Sequence, residues 1–329
     1  MTTKNTNTTN YTADILGSGF EKLTLLFPDD YEGKVHATLV RRKSNLQTTK
    51  AILYIHGFND YFFQQQMALK FNEQGYHFYA LDLRKYGRSL LPHQKLNNVR
   101  SLSEYNAEID TALQIIQSEN NQQLILKGHS TGGLIITNYA INHPNSILFD
   151  ALICNSPFYE FNLNYIERKI GIPLLSFLGK YFPNIAVDAG LSNLYGYSLH
   201  QKKHGEWIYS LAWKPHAIPK VNLGFLRAIH LAQNNIQNHP KLGVPMLVLY
   251  SSRSIFEKKW SENFLKSDAV LNVKHIEKYA KQINGNVATC EIQNALHDVL
   301  LSAKPVRENA YQKIAAWLET LPNTTPKTQ

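Results

Sequence analysis

Short runs of consecutive apolar residues recur along the chain, at residues 51–55, 77–81, 123–127, 151–155, 244–250 and 287–292. The first five lack polar alternation, as expected of parallel strands buried on both faces, and the stretch 287–292, which carries Thr289 and Glu291, is the last strand. Between them lie stretches with helical spacing, at residues 61–75, 102–117, 131–143 and 274–283, and another at 305–318 follows the last run. Strand and helix in alternation predict an α/β architecture with a mostly parallel sheet and helices on both faces. Two earlier runs, 21–27 and 34–40, are joined by Pro28-Asp29-Asp30-Tyr31-Glu32-Gly33 and predict a hairpin. Counting these, eight strands are expected.

Residues 158–243 break the pattern. They are rich in aromatics, among them Phe158, Phe161, Tyr165, Phe177, Tyr181, Trp207, Tyr209 and Trp213, and are interrupted by Pro173, Pro183, Pro215 and Pro219. No strand alternation appears, so this span predicts a helical insertion. The chain then divides into a polar tail at 1–14, a core at 15–157 and 244–321 around the insertion at 158–243, and a mobile tail at 322–329.

The composition is that of an ordinary globular protein, and 329 residues suffice for one large core with an insertion. The net charge of +9 raises nucleic acid and anionic membranes as partners. Arg41-Arg42-Lys43, Lys202-Lys203 and Lys258-Lys259 are short scattered clusters with no nucleic-acid motif between them, so nucleic acid is not expected. Contact with an anionic membrane surface remains compatible with the basic surface. No secretory leader pattern opens the chain and no apolar run has membrane-spanning length, which makes the cytoplasm the expected compartment. Cys154 and Cys290 fall in strands expected to have one strand between them, about 9 to 10 Å apart, too far for a disulfide. Gly17-Ser18-Gly19 lacks the third glycine of a dinucleotide fingerprint and precedes no helix. His200 and His204 have helical spacing but no third ligand, so no metal is expected.

The chemistry centres on Gly128-His129-Ser130-Thr131-Gly132, set between a predicted strand and a predicted helix. A serine hydroxyl is a weak nucleophile and must stand clear of the sheet, where a base takes its proton and a carbonyl approaches. A sharp strand-to-helix turn provides that position, and Gly128 and Gly132 supply the room it needs. The helix that follows aims its first amides at the serine, so the Thr131 N–H is a candidate oxyanion donor. His129, inside the elbow, is expected to be buried.

The segment Asp82-Leu83-Arg84-Lys85-Tyr86-Gly87-Arg88-Ser89 makes the resemblance specific. A strand ending in D-x-R-G-x-G-x-S, with the elbow downstream, resembles the serine aminopeptidase S33-like, monoglyceride lipase and lysophospholipase group of α/β-hydrolases. Lys85 stands where that group usually has glycine. The resemblance implies a second oxyanion donor at the Phe58 amide, after His56-Gly57, and a helical cap over the serine at 158–243. It also implies a base in the loop after the last strand, here His297. The acid of that group usually lies just past the strand at 244–250, where this chain has Ser251-Ser252-Arg253-Ser254 and no acid until Glu257. The later Asp268-Ala269-Val270-Leu271-Asn272-Val273 matches the group's D-x-V-[VL]-x-V wording. Asp268 is therefore the expected acid, with 251–267 an insertion that returns it in space; Glu257 is second, and Asp298 weaker still.

The resemblance implies a serine carboxylic ester hydrolase acting through an acyl-enzyme, with no metal or organic cofactor and an acyl ester or lipid as substrate. Phe158, Trp207, Trp213 and His129 are candidates to line its pocket, with His216 a further candidate contact. The alternatives are an S33-type aminopeptidase, in which Glu160, Glu167 or Glu206 would hold a substrate ammonium, and a non-catalytic ligand-binding protein.

Overall fold

The computed structural model describes residues 10–322. Strands β1 (Thr12–Ala13), β2 (Glu21–Asp30), β3 (Gly33–Arg42), β4 (Lys50–Ile55), β5 (His77–Asp82), β6 (Gln123–His129) and β7 (Ala151–Asn155) come first. Then β8 (Ala186–Val187) and β9 (Val221–Asn222) pair only with each other, and β10 (Met246–Ser251) and β11 (Val287–Ile292) rejoin the main sheet. That sheet runs β1-β2-β3-β5-β4-β6-β7-β10-β11. It is antiparallel from β1 to β5 and parallel from β5 to β11.

The sheet has nine strands where eight were expected. The additional strand comes from the span read as a polar tail: Thr12 and Ala13 pair with Lys22 and Glu21. Two polar contacts outweigh the lack of apolar residues there. Tyr11 packs under the Arg41 guanidinium and donates to Glu119 at 2.9 Å. Asp14 is buried against Arg88 at 2.7 Å, and Arg88 also binds Asp82. Residues 1–9 of the expected tail, and 323–329 at the other end, lie outside the described residues. The hairpin is also longer than expected, its strands running on until only Tyr31 and Glu32 separate them.

Buried parallel strands need apolar cover on both sides, and β4 shows how one strand serves two cores: Leu53 and Ile55 enter one cluster, Ile52 and Tyr54 the other. Helices α1 (Gln65–Glu73) and α8 (Lys304–Glu319) cover one face, with Phe71, Tyr311, Ile314 and Leu318. Helices α2 (Asn106–Ser118), α3 (Thr131–Asn142), α6 (Leu223–Gln237) and α7 (Val273–Gln282) cover the other. The stretch 61–75 is helical only from Gln65; Tyr61, Phe62 and Phe63 are buried in extended chain, the Phe62 amide donating to Asp82 at 2.9 Å.

The span 158–243 holds helices α4 (Ile172–Tyr181), preceded by a wide turn at Glu167–Gly171, and α5 (Leu194–Leu199), together with the β8–β9 ribbon. It also contains α6, whose Phe225, Ala228 and Ile229 pack on the sheet-side core beside α3. The absence of strands expected from its sequence is corrected by that ribbon. Cys154 on β7 and Cys290 on β11 have β10 between them, and both are free.

Candidate active site

Strand β6 turns directly into α3 at Ser130, whose backbone has φ 52° and ψ −115°. A left-handed φ is costly for a residue with a Cβ, and it projects the hydroxyl above the sheet edge. The turn is tight enough that a Cβ on Gly128 would collide with the Gly132 carbonyl, and one on Gly132 with the carbonyls of Ile55 and His56. The Ser130 amide donates to the Asn155 carbonyl at 2.9 Å, tying the elbow to the end of β7.

His297 lies in the loop after β11, with Nε2 2.9 Å from Ser130 Oγ and Nδ1 2.8 Å from Asp268 Oδ2. Asp268 returns to the expected place by pairing with the chain just past β10: its amide donates to the Arg253 carbonyl at 2.9 Å and its carbonyl accepts from Ile255 at 2.8 Å. Its other carboxylate oxygen accepts from the amides of Val270 and Leu271, both at 2.8 Å. Three donors thus surround a fully buried carboxylate. Glu257 is exposed and accepts from Ser261 Oγ, so it does not face His297. Asp298 points away, accepting from Asn155 Nδ2 at 2.6 Å.

His129 is buried with its ring centroid 4.9 Å from that of His297. Burial, and then the neighbouring His297, push its pKa well below the usual histidine range, so it is neutral. Its Nδ1 lies 3.2 Å from the Asn155 carbonyl, which requires the proton on that nitrogen.

Above Ser130 opens a cavity of about 890 Å³. Phe58 and Thr131 line it beside the serine, with Gly57 packed under Ser130 Cβ and His129. Its walls are mostly apolar: Phe158, Phe161, Ile172, Leu175, Phe225 and Leu226. His129 and His216 also line it. Trp207 and Trp213 do not. Trp207 is buried in a third apolar cluster and donates from Nε1 to the Leu301 carbonyl at 2.8 Å, while Trp213 packs edge-on against Tyr61. Both indoles fasten the insertion to the core, because large aromatic surfaces are buried most completely between two elements.

Among the lining residues that escaped the sequence reading, four are polar side chains that tie the cavity wall together. Asn59 and Asp60 follow Phe58; Asp60 holds Lys214 of the insertion at 2.8 Å, and Asn59 Nδ2 donates to the Pro215 carbonyl at 2.9 Å. Tyr195 of α5 is the fourth. The position of Asn59 and Asp60 beside His56-Gly57 was a readable signal, whereas Lys214 and Tyr195 carried none. His200 and His204 diverge, one against Tyr209 and the other stacked on Trp260, and no described cluster of three ligating side chains could hold a metal.

A parallel sheet entered through an antiparallel hairpin, with a serine on the strand-to-helix elbow of a central strand and an insertion after β7, defines an α/β-hydrolase fold. A family model described as serine aminopeptidase, S33, matches residues 47–300, and the chain belongs to that family. Among solved structures, a soluble variant of monoglyceride lipase from Saccharomyces cerevisiae, bound to a substrate analogue, is 15% identical with a TM-score of 0.66, covering 96% of this chain and 100% of its own. The monoacylglycerol lipase of Paleococcus ferrophilus is 17% identical with a TM-score of 0.62, covering 85% and 98%. A thermostable carboxyl esterase from Bacillus coagulans, in complex with glycerol, is 14% identical with a TM-score of 0.62, covering 91% and 98%. No curated protein matches the chain. No described helix is long and apolar enough to cross a membrane.

Proposed function

We propose that the protein is a serine hydrolase of carboxylic esters with an apolar acyl group. The observation that carries this reading is the continuous hydrogen-bonded chain from Ser130 through His297 to Asp268, opening into a large apolar cavity. His297 takes the Ser130 proton as the hydroxyl attacks the ester carbonyl, and Asp268 holds the imidazole and stabilises its charged form. The Phe58 and Thr131 amides receive the oxyanion. The alcohol leaves with the proton from His297, and water, activated by the same imidazole, then hydrolyses the acyl-enzyme.

An acyl ester drawn from a lipid surface fits the exterior of the cap. Ile166, Ile170, Leu174, Phe177 and Tyr181 follow helical spacing and are 56 to 68% exposed, while Ile172 and Leu175 of the same segment line the cavity. Lys169 and Lys180 are exposed within the same segment, and Phe256 and Lys258 line the cavity from another side. Vesicle cosedimentation should show binding that falls when Phe177→Ser and Tyr181→Ser are combined; vesicle binding unaffected by those changes would reject this surface.

Of the three carboxylates offered to the aminopeptidase reading, Glu167 lines the cavity. Glu160 is occupied by Arg168 and Tyr279, and Glu206 by Arg307. Comparing p-nitrophenyl esters with aminoacyl amides separates the two activities. Ester turnover that vanishes in folded Ser130→Ala, together with fluorophosphonate labelling of Ser130, is the expected result. Undiminished turnover in that variant, or a wild type inert to both substrates and probe, would reject the assignment, the second outcome in favour of a ligand-binding role.

A further inference from the structure

His297 has to satisfy Ser130 and Asp268 at once, yet it sits in a loop with no strand of its own, and a displacement of about 1 Å at such a site costs up to a hundredfold in rate. What holds this loop comes from two directions. On the core side, the Asn155 amide side chain bridges it, donating to Asp298 Oδ1 at 2.6 Å and accepting from the Val299 amide at 3.1 Å. Asp298 Oδ1 also accepts from the Leu300 amide at 3.0 Å.

The second hold comes from the insertion. Tyr195 of α5 accepts a hydrogen bond from the Asp298 amide at 3.0 Å, and its ring meets that of His297 edge-on, with centroids 5.5 Å apart at 80°. Burial and the adjacent Asp298 carboxylate push the Tyr195 phenol far above its usual pKa, so it remains neutral beside the imidazole. Three residues beyond Asp298, the Leu301 carbonyl accepts from Trp207 Nε1 at 2.8 Å. Arg307 locks the same corner, donating to the Ser302 carbonyl at 2.8 Å and pairing with Glu206. The base loop is therefore gripped at both ends by the 195–207 part of the insertion.

We propose that Tyr195 is a positioning residue for His297, with Trp207 as the second anchor, so that this part of the insertion acts on the chemical step as well as shaping the cavity. Without the phenol, the Asp298 amide loses its partner and the loop gains freedom next to the imidazole. The kinetic half of this proposal rests on the ester hydrolase reading; the structural half does not.

The test is Tyr195→Phe, which keeps the ring and removes the acceptor, beside Trp207→Phe, which removes the indole donor. For a short p-nitrophenyl ester, kcat should fall roughly tenfold in each variant, with KM within about twofold of wild type. Amide hydrogen exchange across residues 297–301 should quicken in both while the rest of the chain keeps its protection. A KM effect with kcat intact would make Tyr195 a substrate contact and overturn the proposal. Faster exchange with unchanged kcat would leave only a structural role, and unchanged exchange in folded Tyr195→Phe would remove the clamp altogether. If the wild type turns over no ester, the proposed function fails, while the exchange measurement still decides the clamp.

Discussion

The Asp268 carboxylate stands 2.8 Å from His297 Nδ1, although 17 positions of sequence separate it from Ser251, the last residue of β10. The detour closes because Asp268 pairs with the chain immediately beyond that strand. On the proposed mechanism, Asp268→Asn should lower kcat by about 10³ to 10⁴ by spoiling the tautomer that faces Ser130. Glu257→Gln should stay within about twofold of wild type, since its carboxylate is solvent-facing and its loss perturbs no buried group. Steady-state hydrolysis of p-nitrophenyl esters measures both.

Strain at Ser130 gives a second prediction. Its φ of 52° suits glycine better than serine. Ser130→Gly should abolish ester turnover while raising stability by about 1 kcal/mol, through relief of the left-handed backbone. Urea denaturation provides the check, and a less stable variant would argue that the hydroxyl contributes more to folding than the strain costs.

Lys85, the residue that replaces the group's usual glycine, also has a left-handed backbone, at φ 65°. Its buried ammonium reaches Asp30 at 2.7 Å, Glu32 at 2.8 Å and the Asn98 carbonyl at 2.7 Å, stapling the β2–β3 turn to the loop after β5. Removing one partner of a buried ion pair strands the others. Lys85→Met should cost about 3 kcal/mol in thermal or urea unfolding, with kcat unchanged at low temperature because neither Lys85 nor its partners line the cavity.

Histidine burial makes stability sensitive to acid. The pKa of His129 is depressed by burial and by His297, and those of His230 and His275 are lowered chiefly by burial. Unfolding releases each histidine to its ordinary value near 6.5, so the unfolded state binds more protons below that pH. His129 alone should contribute a loss of stability below about pH 6.5, with a slope of up to about 1.4 kcal/mol per pH unit, while the Glu108 carboxyl, raised by burial to about 7, contributes in the opposite sense between its ordinary value and that pH. Thermal midpoints between pH 5 and 8 should fall less on acidification in His129→Gln than in the wild type. The same pH dependence in both proteins would contradict the neutral, buried assignment of His129.

Apolar runs, turn residues and the spacing around Gly128 and Gly132 are local properties, and they determined the order of strands and helices and the elbow at Ser130, whereas the places of Asp268 and His297 were implied by the family resemblance. These were legible because a strand buried on both faces must be apolar throughout, and because a serine between two glycines at a strand-to-helix junction leaves few geometries open. The tertiary structure decided where side chains with no local signature went. Trp207 and Trp213 carried the same aromatic signal as Phe158 and Phe161, but only the phenylalanines line the cavity; the Trp207 indole is buried, and that of Trp213 half-buried, between insertion and core. Thr12 and Ala13 became a strand because Asp14 and Tyr11 find partners on Arg88 and on Arg41 and Glu119, contacts made across 74, 30 and 108 positions. Tyr195 came to rest on His297 for the same reason: which surfaces meet is set by the packing of whole elements, and no window of neighbouring residues contains that information.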